Sequence, residues 1–108
     1  MIATVQEPAI PVVLRVWKAD DSDVFALFPT LPADNYGYLC TSYQHVGQHS
    51  SADYYHCIAN SRPASEAEAA DLLAELQTIG YNLRPIKRAT PAHHEQCRRE
   101  AREPGAQP

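Results

Sequence analysis

The sequence predicts an α+β domain: a mainly antiparallel sheet of four or five strands with one amphipathic helix packed on one face. Three observations point there. Val12, Leu14 and Val16 alternate with Val13, Arg15 and Trp17, the two-residue period of a strand with one face buried and the other partly exposed. Short apolar runs recur behind it, each closed by turn residues or proline. Ser65 to Gly80, SEAEAADLLAELQTIG, has both caps and the apolar stripe of a single helix.

Taken in order, residues 1–10 show no period and carry Pro8 just ahead of Pro11, so a flexible arm is expected. The strand from Pro11 turns at DDSD into VFALF, Val24 to Phe28, which makes a hairpin. Pro29 and Pro32 are expected to stop that second strand, because proline has no N–H for a ladder, and LPADNYG reads as loop. YLCTSYQ is the third strand, with Tyr38, Cys40 and Ser42 on one side and Leu39, Thr41 and Tyr43 on the other. After a His-rich turn, YYHCIA, Tyr54 to Ala59, is expected as a fourth strand.

The helix is expected over Glu66 to Ile79. Ser65 and Glu68 fit the S-x-x-E capping box, in which the serine hydroxyl accepts from the N3 amide and the glutamate reaches back to the N-cap amide. Glu66, Glu68 and Asp71 suit the positive end of the dipole, and Gly80 stands where a left-handed C-cap belongs. Ala69, Leu72, Leu73, Leu76 and Ile79 fall on one stripe. NLRPIKR follows as a last strand, which Pro85 places at an edge. One domain therefore spans residues 11–90, and residues 91–108 form a polar basic tail in which AHHEQCRREARE can make a short helix.

Composition narrows the function. At 108 residues there is room for one ordinary domain. Of its 48 apolar residues 16 are alanine, 6 are tyrosine and only 19 are Ile, Leu or Val, so the core is small and trimmed with tyrosine. A protein partner, a homodimer included, suits such a core. The net charge of −4 argues against a general nucleic-acid binder, which neutralises phosphates with Lys and Arg. The charge is uneven, however: residues 1–83 hold 3 basic and 10 acidic side chains, and residues 84–108 hold 6 basic and 3 acidic. Cys40, Cys57 and Cys97 make an odd set without a CxxC, which fits a reducing, cytoplasmic location. The first residues lack a basic stretch ahead of an apolar run, and no segment approaches the ~18 apolar residues of a span, so neither a secretory signal nor a membrane partner is expected.

DSDVFALFPTLPAD, SYQHVGQHSSADY and NSRPASEAEAADLLAELQTIGYNLRPIKR resemble, in that order, segments of small uncharacterised proteins of bacteriophages, plasmids and integrative elements. HVGQH is the most specific piece, and the resemblance covers roughly residues 12–90. It implies an accessory protein of a mobile element and brings no activity or catalytic residue with it.

The stretch SYQHVGQHSSADYYHC concentrates the residues that could carry chemistry. His45 and His49, four apart, would share one side of a helix and could hold zinc with Cys57, but Gly47 lies between them and no glutamate stands where a metalloprotease keeps its base. The run Cys40-x4-His45-x3-His49-x7-Cys57 also lacks a close Cys or His knuckle, so imidazoles bonded to loop backbone or facing solvent are the simpler expectation, with zinc and a metal-dependent enzyme as the alternative. A nucleophilic Cys40 or Cys57, paired with a histidine and Asp53, finds nothing to lower a thiol pKa, and His56 and Cys57 would point to opposite faces of a strand. The glycines form no phosphate-cradling loop.

What remains is surface recognition. Tyr36, Tyr38, Tyr43, Tyr54 and Tyr55, with His45 and His49, are expected to bind an unidentified protein, the tyrosines giving contact area and the histidines adaptable hydrogen bonds. No catalytic residue and no cofactor are expected. A third reading gives Arg84, Lys87, Arg88, Arg98, Arg99 and Arg102 to nucleic-acid phosphates, against a solvated tail whose charges pair with Glu95, Glu100 and Glu103.

Overall fold

The computed structural model describes residues 9–19, 23–44 and 48–102, the Gln48 side chain excepted. Among them, nine elements follow one another: β1 (Ile10–Trp17), β2 (Val24–Pro32), β3 (Cys40–Gln44), β4 (Gln48–Ala52), α1 (Tyr54–Ala59), β5 (Ser61–Pro63), α2 (Glu66–Ile79), β6 (Leu83–Ile86) and α3 (Pro91–Arg102). The strands make one sheet in the order β4-β3-β2-β1, with β5 and β6 sharing the outer edge of β1. β6 runs parallel to Ile10–Val13, and β5 runs antiparallel to Arg15–Trp17. Every other pairing is antiparallel, so the class is α+β, as the sequence predicts.

Helices cover both faces of the sheet. On one, Val12, Ala26, Phe28 and Tyr43 pack against Leu72 and Leu76 of α2. On the other, Val13, Phe25, Leu27 and Cys40 pack against Tyr54 and Cys57 of α1 and Cys97 of α3. On the second face of β1 Val13 and Arg15 are buried, and Trp17 is partly exposed. α2 has the predicted bounds, and both halves of its capping box form. Glu68 N–H donates to Ser65 Oγ at 3.1 Å, and Ser65 N–H donates to Glu68 Oε1 at 2.9 Å. Arg62 of β5 adds a two-pronged grip on the Glu68 carboxylate, at 2.8 and 2.6 Å, which ties that short strand to the start of α2.

Several features depart from expectation, among them Tyr38, which lies in the loop ahead of β3 and not in the strand. β2 continues through Pro29 and Pro32, because its ladder with β1 is needed only from Val24 to Leu27 and its register with β3 shifts between Phe28 and Pro32. The His-rich turn contains β4, a regular partner of β3 from Gln44↔Gln48 to Cys40↔Ala52.

The segment YYHCIA is helical, not a strand. Asp53 caps it, accepting from His56 N–H at 3.3 Å, while Asn60 closes it with its backbone N–H on the carbonyls of His56 and Cys57. Tyr54, Cys57 and Ile58 form the stripe that α1 turns to the core.

The tail helix is also part of the core. Thr90 starts it: His93 N–H donates to Thr90 Oγ1 at 3.3 Å, and Thr90 N–H donates to His93 Nδ1 at 3.0 Å, with Pro91 at the first helical position. Its Cys97 is buried beneath β2 and β3. No described helix is long and apolar enough to cross a membrane.

Candidate functional site

The predicted tyrosine and histidine surface divides. Tyr43 (1% exposed) and Tyr54 (6% exposed) leave it for the core. Tyr43 donates its hydroxyl proton to the Glu75 carboxylate of α2, and Tyr54 Oη accepts from Ala89 N–H at 2.7 Å. Each buried ring thus has a partner for its polar tip. His49 is exposed on the α2 face, its Nε2 2.9 Å from Tyr81 Oη and its ring edge-on to Tyr43. His45 lies outside the described residues.

Tyr36, Tyr38 and Tyr55 are 68%, 73% and 70% exposed. They come from two segments, the loop after β2 and α1, and both segments pack on α3. The loop after β2 is shaped by Asp34, whose Oδ1 accepts from Gly37 N–H at 2.7 Å and Leu39 N–H at 3.3 Å. Gly37, at φ 78°, lies flat on α3: a Cβ there would stand 2.5 Å from Arg98 Cα and 2.8 Å from the Cys97 carbonyl oxygen. Only glycine allows both the left-handed backbone and that approach. The loop is thereby pinned to the helix, with Tyr36 and Tyr38 on either side of the pin, ring centroids 6.2 Å apart.

One helical turn earlier, His94 takes the edge of Tyr54 at 4.8 Å and lies 5.3 Å from Tyr55. Burial, with Arg98 and His93 adding to it, pushes His94 below the usual imidazole value, so the ring packs as a neutral group. On one turn of α3, His94 thus packs beside Tyr55, and the Arg98 backbone lies against Gly37 between Tyr36 and Tyr38.

Of the zinc set, His49 and Cys57 are not brought together. His49 lies on the α2 face and Cys57 on the opposite one, so the sheet separates them, and the described residues include no group of three metal-ligating side chains. Nor is there an activated thiol. Burial, with neighbouring Cys97 and Cys57 and the Asp53 charge adding, pushes Cys40 up to about 12, and burial followed by Asp53 raises Cys57. Both are protonated at neutral pH. His56 and Cys57 are neighbours on a helix rather than on alternating sides of a strand.

Of the basic residues assigned to phosphate contact, Arg98 and Arg102 reach Glu95, at 3.1 and 3.6 Å. Arg84, Lys87, Arg88 and Arg99 are exposed and make no ion pair among the described residues. Arg15, 8% exposed, is spent inside the fold. Its Nε donates to Ser61 Oγ at 2.9 Å and its Nη2 to the carbonyls of Ile58 and Ser61 at 3.1 and 2.7 Å, which ties the end of α1 to β1. His94, Gly37 and Arg15 were not predicted as site or scaffold residues. The cap signature Thr90-Pro91 was the available clue that the tail docks as a helix.

Comparison with protein-family models, curated proteins and solved structures finds no match.

Proposed function

We propose that the chain is a small non-enzymatic accessory protein that binds another protein through Tyr36, Tyr38 and Tyr55 where they gather along α3. The observation that supports it most is their joint exposure on a fixed support. Three large rings, each about 70% exposed, stand beside a helix whose backbone pins one loop and whose His94 backs the other segment. Tyrosine held in this way gives a partner wide contact area with little rotamer entropy to lose. The resemblance to proteins of mobile elements makes a host protein or an element-encoded protein the partner class, and the basic side chains that follow β6 favour an acidic one.

Site-specific photo-crosslinking tests this. With benzoylphenylalanine replacing Tyr38 or Tyr55, crosslinking in the native host should give one discrete adduct common to both positions. Replacement of Ile79, also exposed but on α2, should give none. Equal adducts from position 79, or none from 38 and 55, would refute the assignment.

A further inference from the structure

We propose that the cavity between α1 and the β3–β4 hairpin binds a small organic cation with a flat body, an amidinium or guanidinium of about one ring's size. The cavity has a volume of about 270 Å³ and lies on the sheet face opposite α2. Trp17, stacked on Phe25 with centroids 4.2 Å apart, forms its aromatic wall. Ser42 and Gln44 of β3 line one side, and Asp53 and His56 line the other.

The lining chemistry selects the ligand. It has one carboxylate, Asp53, and neither lysine nor arginine, so an anion meets no compensating charge there. One Asp53 oxygen caps α1, and the other has no partner among the described residues. The negative charge of Asp53 is felt inside, since it contributes to raising both Cys57 and Cys40. A carboxylate and an indole lining one cavity are the pairing that can hold a flat cation, by charge and by aromatic contact. Neutral hydroxyl and amide groups supply acceptors for the remaining N–H donors. The protonated Cys57 thiol makes this a binding site without a nucleophile. A volume below the usual range for drug-sized ligands, ~300–1,000 Å³, limits the occupant to a single ring or a side chain. Free amidines and arginine side chains of a peptide both carry this group. The inference does not depend on the tyrosine surface.

Trp17 is the only tryptophan in the chain, so its emission reports the cavity wall directly. Benzamidine should change that emission saturably, while benzoate, of the same shape and opposite charge, should not. N-acetylarginine amide separates the sources: its binding alongside benzamidine marks a peptide side chain as the natural occupant, and its failure marks a free small molecule. Asp53→Asn keeps the helix cap, because asparagine caps as well as aspartate. It should weaken benzamidine about threefold to fivefold while melting like the parent protein. Ser50→Tyr, an exposed position on the rim, should abolish the response. Equal titration by benzoate, no titration by either cation, or an affinity untouched by Asp53→Asn would overturn the proposal.

Discussion

The two faces of the sheet are built on different terms. On one, a fourteen-residue helix lays leucines over valine, alanine and aromatic side chains, and the polar tips of Tyr43 and His49 are tied down at its rim. On the other, a six-residue helix and a polar twelve-residue helix share the cover with three thiols, the buried Arg15 guanidinium and an open cavity. Both faces bury apolar side chains, Leu76 and Phe28 on the first and Phe25 and Leu27 on the second, but the second also carries the buried Arg15 and the exposed rings. The proposed recognition surface and the long helix α2 thus lie on opposite sides of the sheet.

Truncating one core side chain on each face sharpens the contrast. Leu76→Ala, at a fully buried position on α2, should cost about 2–5 kcal/mol in urea unfolding. Cys97→Ala, on α3, should cost about 1 kcal/mol, the transfer of one small group. A loss well above about 1 kcal/mol for Cys97→Ala would show that α3 supports the fold beyond the size of the group it buries.

Within the face covered by α1 and α3, adjacent tyrosines should behave oppositely. Tyr54→Phe removes the acceptor of the Ala89 N–H and should cost about 1–2 kcal/mol in the same assay. Tyr55→Phe should change stability by less than about 0.5 kcal/mol, since its ring is exposed.

Acid separates the helices by window. The folded state holds His94 below 6.5, so the unfolded chain takes up that proton first, and stability should fall as pH drops below 6.5 toward the lowered value. His94→Gln should remove this phase. Glu68, held down to about 2 mainly by Arg62, contributes fully above 4.5 and loses its contribution between 4.5 and about 2. Glu68→Gln should flatten only that lower window, as read from melting temperature against pH.

The same division explains what was legible in the sequence. The bounds of α2 could be read to the residue because its signals are local: a serine and a glutamate three apart, a leucine stripe and Gly80 at φ 123°. Ile79, read on the packed stripe, is nevertheless exposed in the last turn, beyond the reach of the sheet residues. The alternation in β1 was equally readable, but its second face was not, because Val13 and Arg15 are buried by helices distant in sequence. YYHCIA has the composition of a strand, and its helix depends on the Asp53 cap and on packing against the sheet, which override propensity. The tyrosines show the limit most clearly. Tyr54 and Tyr55 are chemically alike and adjacent, and the turn of α1, which puts Tyr54 on the stripe with Cys57 and Ile58, decides that one is core and the other surface.

Quantitative capture of the crosslinked partner by purified variants tests the division most directly. A variant carrying Tyr36→Ser, Tyr38→Ser and Tyr55→Ser should melt like the parent protein and lose the partner, whereas His49→Ser, on the opposite face, should retain it. Retention by the triple variant, or loss with His49→Ser alone, would contradict the account.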